Sequence, residues 1–274
     1  MANHHRLRVF FSLRMKPLPF TVALGLLAAA CRSDTTSTEK LARAPAPAAA
    51  SEASALIGTP ADTLHLPDGR VVQLRPTTAE AFNRLPGSPL PELFNDPKAE
   101  RLTTTQGQVR RQGLDLLLHT AQRTDVKLSS TPDAEFTLQN ADGVKYMYWG
   151  QLSAAHQWAV RAWYWESDGT VLVDQRTGRR LDVLGTPVPS ADGRFVVLAS
   201  PGLSGGDQAN ALSLVAIEAD GPHLLWQREP TTWEPQEVRW ANPGIAVLKL
   251  RRADATGSVP DDAPASYVEL PLPR

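Results

Sequence analysis

The sequence is short of thiols, of surplus positive charge and of long apolar runs, and each shortage narrows the possible functions. Cys31 is the single cysteine among 274 residues, so no disulfide can form within one chain. His65, His119, His156 and His223 are scattered, and none has the histidine or cysteine three or four residues away that zinc motifs use. No cofactor motif is read, and no cofactor or metal is expected. The formal net charge is −1, but Arg6, Arg8, Arg14 and Lys16 all precede residue 31. Without those four of the 28 basic residues, 29 acidic residues leave the rest at about −5. No cationic field remains for phosphates, which speaks against a nucleic-acid partner. The main apolar run, from Leu18 to Ala30, is about 13 residues long, against the roughly 20 that a membrane-spanning helix needs.

That run has the marks of an export signal instead. A basic start, an apolar middle and small residues lead directly into Cys31 in "MKPLPFTVALGLLAAACRSD". Fourteen residues precede Met15, which reads as an alternative start. The phrase "LAAAC" at 27–31 resembles the lipobox of bacterial lipoproteins. The resemblance implies that Cys31 is diacylated and becomes the new amino terminus, and that the protein is anchored in the cell envelope of a Gram-negative bacterium. Ordinary signal cleavage near Ala30 and an uncleaved anchor are the competing readings. Arg32 after the cysteine favours the outer membrane if the sorting pattern of enteric bacteria applies. Residues 31–59 are rich in Ser, Thr, Ala and Pro, with too few large apolar residues for a core, and read as a disordered tether.

The body reads as strands. Hydrophobic residues make up 42% of the chain, enough for a core at this length. Asp–Gly pairs at 68–69, 142–143, 168–169, 192–193 and 220–221 punctuate it in the manner of hairpins. A small β unit is expected over 60–133. It holds a hairpin around Pro67–Asp68–Gly69 and one short helix from Thr78 to Leu85, with Thr77 and Glu80 at capping-box spacing. A second unit over 134–274 contains an approximate repeat. "WESDGTVLVDQRTGRRLDVLG", "TPVPSADGRFVVLAS" and "WEPQEVRWANPGIAVLKLRR" each pair a strand with a tight turn and a second strand. Asp174 and Asp220 occupy equivalent turns. These phrases resemble β-propeller blades of the WD40-like or TolB-type repeats, which implies an all-β fold of antiparallel hairpins with about three blades. Three blades do not close a propeller. Either the amino-terminal unit completes an irregular stack of sheets, or the chain oligomerises, or the hairpins form a β-sandwich.

Site signals are sparse. In "HQWAVRAWYWE" an extended strand puts Trp163 and Trp165 on one face with Arg161, and Trp158 and Tyr164 on the other. Core packing is the plain reading of this stretch, and an aromatic platform for a ligand such as a sugar ring is the second. Trp226, Trp233 and Trp240 read as core. The loop at 201–210 brings Asp207, Gln208 and Asn210 together as oxygen ligands, too few for a calcium loop. Gly202–Leu203–Ser204–Gly205–Gly206 matches the G-x-S-x-G pattern, but its flanks are not the strand and helix of a nucleophile elbow. No catalytic set emerges. The reading is a lipid-anchored, non-catalytic binding or scaffolding module whose partner is an envelope protein or a glycan. A hydrolase using Ser204 and a purely structural surface lipoprotein are the alternatives.

Overall fold

The computed structural model describes residues 63–66, 69–91, 100–122, 125–140, 142–205 and 208–272. The signal and tether segments, with Cys31, lie outside the described residues. Glu52–Arg274 forms one compact unit, and it is all-β with one α-helix among the described residues. No helix there is long and apolar enough to cross a membrane.

The unit begins with a small hairpin, β1 (Thr63–His65) and β2 (Val71–Gln73). After it come β3 (Arg75–Pro76) and α1 (Ala79–Asn83). Sheet I is β4 (Val109–Gln112), β5 (Asp115–His119) and β6 (Asp125–Ser129). Sheet II is β7 (Lys145–Leu152), β8 (Gln157–Trp163), β9 (Asp168–Asp174) and β10 (Arg180–Val183), and sheet III is β11 (Thr186–Pro189), β12 (Phe195–Ser200), β13 (Ala211–Glu218) and β14 (Gly221–Arg228). Sheet IV is β15 (Trp233–Asn242), β16 (Ile245–Arg252) and β17 (Ala265–Pro271), completed by β3. All pairings are antiparallel, and sequence neighbours pair because their turns are short. The strands of the three repeated phrases are β9–β10, β11–β12 and β15–β16, each a strand, a turn and a second strand as the repeat implies.

The sheets stack face to face in chain order, with a core in each gap. Val109, Leu116 and Leu128 of sheet I meet Trp158, Val160 and Val171 of sheet II. The other face of sheet II puts Ala159 and Leu172 against Val196 and Leu198 of sheet III. Val197, Ala199 and Leu212, on the far face of sheet III, then meet Trp240, Leu248 and Leu270 of sheet IV. Strands of the middle sheets bury both faces, so "FVVLAS" and "ALSLVAIE" are nearly continuous apolar runs. Trp226, Trp233 and Trp240 belong to the core between sheets III and IV. The expected boundary near 133–134 falls between sheets I and II, whose facing sides share one core.

Two expectations shift in detail. The helix starts one residue later than the Thr77–Glu80 spacing suggests. The Thr77 N–H still donates to Tyr267 O of sheet IV (2.9 Å), and Thr78 is the cap, its hydroxyl accepting from Ala81 N (3.2 Å). The helix is also shorter, and its last carbonyls are taken by Arg239. That guanidinium donates to Phe82 O and Leu85 O and lies 4.4 Å over the Phe82 ring. The aromatic strand is shorter too. β8 stops at Trp163, because Tyr164 N donates to Ser167 O (2.9 Å) and turns the chain. Trp165 therefore stands in a hairpin loop rather than on the strand.

Candidate functional site

The gap between sheets II and III is apolar over most of its length and changes character at one end. Pairing across sheet II places Met147, Arg161 and Thr170 in one row and Lys145, Trp163 and Asp168 in the next, on the face that looks toward sheet III. Arg161 covers the end of the core by lying 5.2 Å over the Trp149 ring. Beyond it opens a cleft of about 950 Å³, bounded by sheets I, II and III and by the β8–β9 loop. Phe136, Tyr146, Trp163, Tyr164 and Trp165 supply its aromatic wall.

The charges in the cleft, except the exposed Glu166 of the β8–β9 loop, are paired within the protein. Arg111 grips Glu100 with both ends of its fork, Nε to Oε2 at 2.7 Å and Nη2 to Oε1 at 2.5 Å. Glu100 also accepts the Tyr148 N–H (2.7 Å), and Arg111 donates to Tyr146 O (2.8 Å). Ser130 Oγ accepts the Tyr146 N–H at 2.9 Å. These side chains satisfy the outer edge of β7, which sheet II leaves without a strand partner. Lys145 pairs with Asp133 and lies 5.4 Å over Phe136. Arg161 pairs with Asp168, while its Nε has no partner. Burial lowers the Arg161 pKa, yet a guanidinium remains charged at any physiological pH. Burial raises the pKa of Tyr146 and Tyr164, so both phenols stay protonated and able to donate.

The structure separates the residues that the sequence singled out. Trp163 and Trp165 both line the cleft. Trp158 is on the opposite face of β8, 1% exposed in the core between sheets I and II. Asp207 lies outside the described residues. Gln208 reaches the cleft, where it clamps β9 to sheet III by donating to Asp168 O (3.0 Å) and Ser200 Oγ (2.9 Å) and accepting from Asp168 N (2.9 Å). Asn210 faces the other way, donating to Pro230 O (2.5 Å) and Trp233 O (2.9 Å) at the border with sheet IV. Sequence reasoning missed Phe136, Tyr146, Glu100 and Arg111, which come from distant segments. The run "YMYW" at 146–149 was the available signal for Tyr146.

Two other groupings lie outside the cleft. Ser204 sits in the loop between β12 and β13, with no helix after it. Its N–H and that of Leu203 both donate to the buried Glu234 carboxylate at 2.9 Å, so neither is free to stabilise an oxyanion. Glu218, Asp220 and His223 bring their ligand atoms within 4.8 Å of one another at the surface. Arg179 donates to Asp220 and lies 3.2 Å from His223 Nδ1, so a guanidinium already supplies the positive charge there. Compared with known proteins, the chain matches no family model, no curated protein and no solved structure.

Proposed function

We propose that this protein is a lipid-anchored binding module of the bacterial cell envelope, held at the outer membrane through Cys31, with the sheet II–III cleft as its ligand site and no catalytic role. The cleft carries the reading. It is large, it is walled by aromatic rings, and its charged groups other than Glu166 are held in pairs rather than poised around a reacting atom. A stack of sheets with buried cores provides the rigid frame that a preformed site needs, and a tether of some thirty residues lets such a body stand off the membrane. The partner under this reading is an envelope glycan or protein.

The test is photocrosslinking in cells. A benzophenone amino acid replaces Trp165 in one strain and Val71, exposed and outside the cleft, in another. A discrete adduct at position 165 that is absent at position 71 is the expected result. No adduct at 165, or the same adducts at both positions, overturns the assignment of the cleft. In parallel, Cys31→Ser is expected to abolish acyl incorporation and leave unprocessed precursor; unchanged processing and membrane retention overturn the anchor.

A further inference from the structure

We infer that the cleft takes a neutral oligosaccharide, an assignment that rests on the binding role just proposed and adds the chemical class of the ligand. Among the described residues the exposed aromatic side chains are Tyr164, at 37%, and Trp165, at 50%, and both belong to the β8–β9 loop. Every other large aromatic among them is at least partly covered. Two exposed rings in one loop, beside a third in Trp163, form a platform rather than a random scatter. Trp165 meets Phe136 at 5.7 Å with the planes tilted by 56°, so each ring keeps a face that the other does not cover. The axial C–H face of a pyranose is flat, weakly polarised and suited to the electron-rich face of indole or phenol.

The polar groups point to the same class. Arg161 and Asp168 leave about a quarter of their side chains exposed, 24% and 23%, next to Trp163. The pair therefore offers donors and acceptors side by side, which is what vicinal hydroxyls require, since each hydroxyl both donates and accepts. Arg161 Nε is buried and without a protein partner, so what the cleft can reach of this side chain is its partly exposed remainder beside Asp168. An anionic ligand would have to take Arg161 from Asp168 or Arg111 from Glu100, stranding a largely covered carboxylate each time, and only Lys145 pairs with a fully exposed one, Asp133. An apolar ligand would cover these ion pairs without hydrogen-bonding to them.

An extended peptide fits poorly as well. Strand addition needs a free sheet edge, and the nearby edge of β7 is capped by Ser130, Glu100 and Arg111. The volume, about 950 Å³, lies at the upper end of the roughly 300–1,000 Å³ usual for ligand sites, which suits several linked rings better than one.

The experiment is isothermal titration calorimetry of the full chain in a detergent without sugar groups. The probes are neutral tetrasaccharides of α-linked glucose, β-linked glucose, mannose and N-acetylglucosamine, with tetragalacturonate and a neutral tetrapeptide as contrasts. Saturable binding of at least one neutral tetrasaccharide is expected. It should weaken roughly tenfold or more in Trp165→Ala and in Arg161→Lys, and be unchanged in Val71→Ala. Trp165 is half exposed, so its removal leaves the fold in place, which circular dichroism checks. Saturation by tetragalacturonate or the peptide alone, or by none of the neutral sugars, overturns the inference. A protein adduct at position 165 in cells, without saccharide binding, would refute the sugar while keeping the binding role. Saccharide binding that survives Trp165→Ala would place the sugar elsewhere on the molecule and overturn the assignment to the cleft.

Discussion

Gly193 ends the turn in "PSADGRF", and its replacement by alanine tests how closely sheets II and III approach. Ser190 N donates to Phe195 O (2.8 Å), the Ser190 hydroxyl donates to Asp192 Oδ1 (2.7 Å), and Gly193 closes the bend with φ at +70°. An added Cβ would stand 1.8 Å from the carbonyl oxygen of Ala154, in the short 3-10 turn between β7 and β8. That oxygen is backbone and cannot swing aside. The left-handed conformation alone costs an alanine about 1–2 kcal/mol, and forcing the two turns apart adds about 1–3 kcal/mol. Gly257 provides the control, because its φ is +84° and a methyl group added there would meet nothing within 4 Å. Gly257→Ala should therefore lose about 1–2 kcal/mol from backbone strain alone. The difference between the variants isolates the contact, at about 1–3 kcal/mol, or roughly 2–12 °C in Tm for a domain of this size. Thermal and urea unfolding followed by circular dichroism measure it. Equal destabilisation by the two substitutions would refute the close packing of sheet II on sheet III at this turn.

Two further outcomes follow from buried carboxylates. Burial of Asp174 would raise its pKa, but hydrogen bonds from Arg176, Thr177 and Gln157 outweigh that and hold it below the ordinary aspartate value. The folded state thus binds its proton later than the unfolded chain, whose aspartates titrate near about 3.9. The stabilisation is complete above that pH and is lost as pH falls through the lower folded value. Asp174→Asn should cost about 1.5–3 kcal/mol at pH 7, and its gap to the wild type should narrow below about pH 4. A gap that stays constant from about pH 7 to about pH 2.5 would contradict this sign. Glu234 is buried and holds the Leu203 and Ser204 N–H groups, so Glu234→Ala should cost about 1–3 kcal/mol and speed hydrogen exchange at those two amides. Unchanged exchange there would show that the loop is held by other contacts.

The hairpins were legible because their signals are local. Apolar runs bounded by the Asp–Gly or Thr–Gly turns at 192–193, 220–221 and 177–178 define strands without reference to the rest of the chain. The partner of β3 was not legible. Only two residues pair, Pro76 with Val268 and Arg75 with Glu269, almost two hundred positions apart. The helix start was misplaced by one residue for the same reason, since a long-range bond from Thr77 to Tyr267 delays it. Half of the aromatic platform was visible, in that Trp163 and Trp165 were set apart from Trp158. The turn at Tyr164–Ser167 was not visible. The other wall, Phe136 with the Glu100–Arg111 pair, comes from segments whose composition gives no hint of a shared cleft.

The sizes of side chains along the inner face of sheet II explain why the cleft opens where it does. At one end Ala155 and Ala159 are small, so the backbone of the β11–β12 turn can come against Ala154, and only glycine fits at 193. Farther along β8 the same face carries Arg161 and then Trp163, opposite Met147 and Lys145 of β7. Bulk that increases from one end of a strand to the other splays two packed sheets. Such a wedge cannot be closed by apolar packing, because its inner limit is a guanidinium lying on Trp149 and paired with Asp168. Arg161 therefore both ends the core and begins the site. Replacing it by methionine would remove the cleft's hydrogen-bonding floor and strand the Asp168 carboxylate, so stability and ligand binding should both fall. In Arg161→Met combined with Asp168→Asn the stranded charge is gone, and stability should recover while binding stays lost. Binding that recovers together with stability would mean that Arg161 serves packing alone.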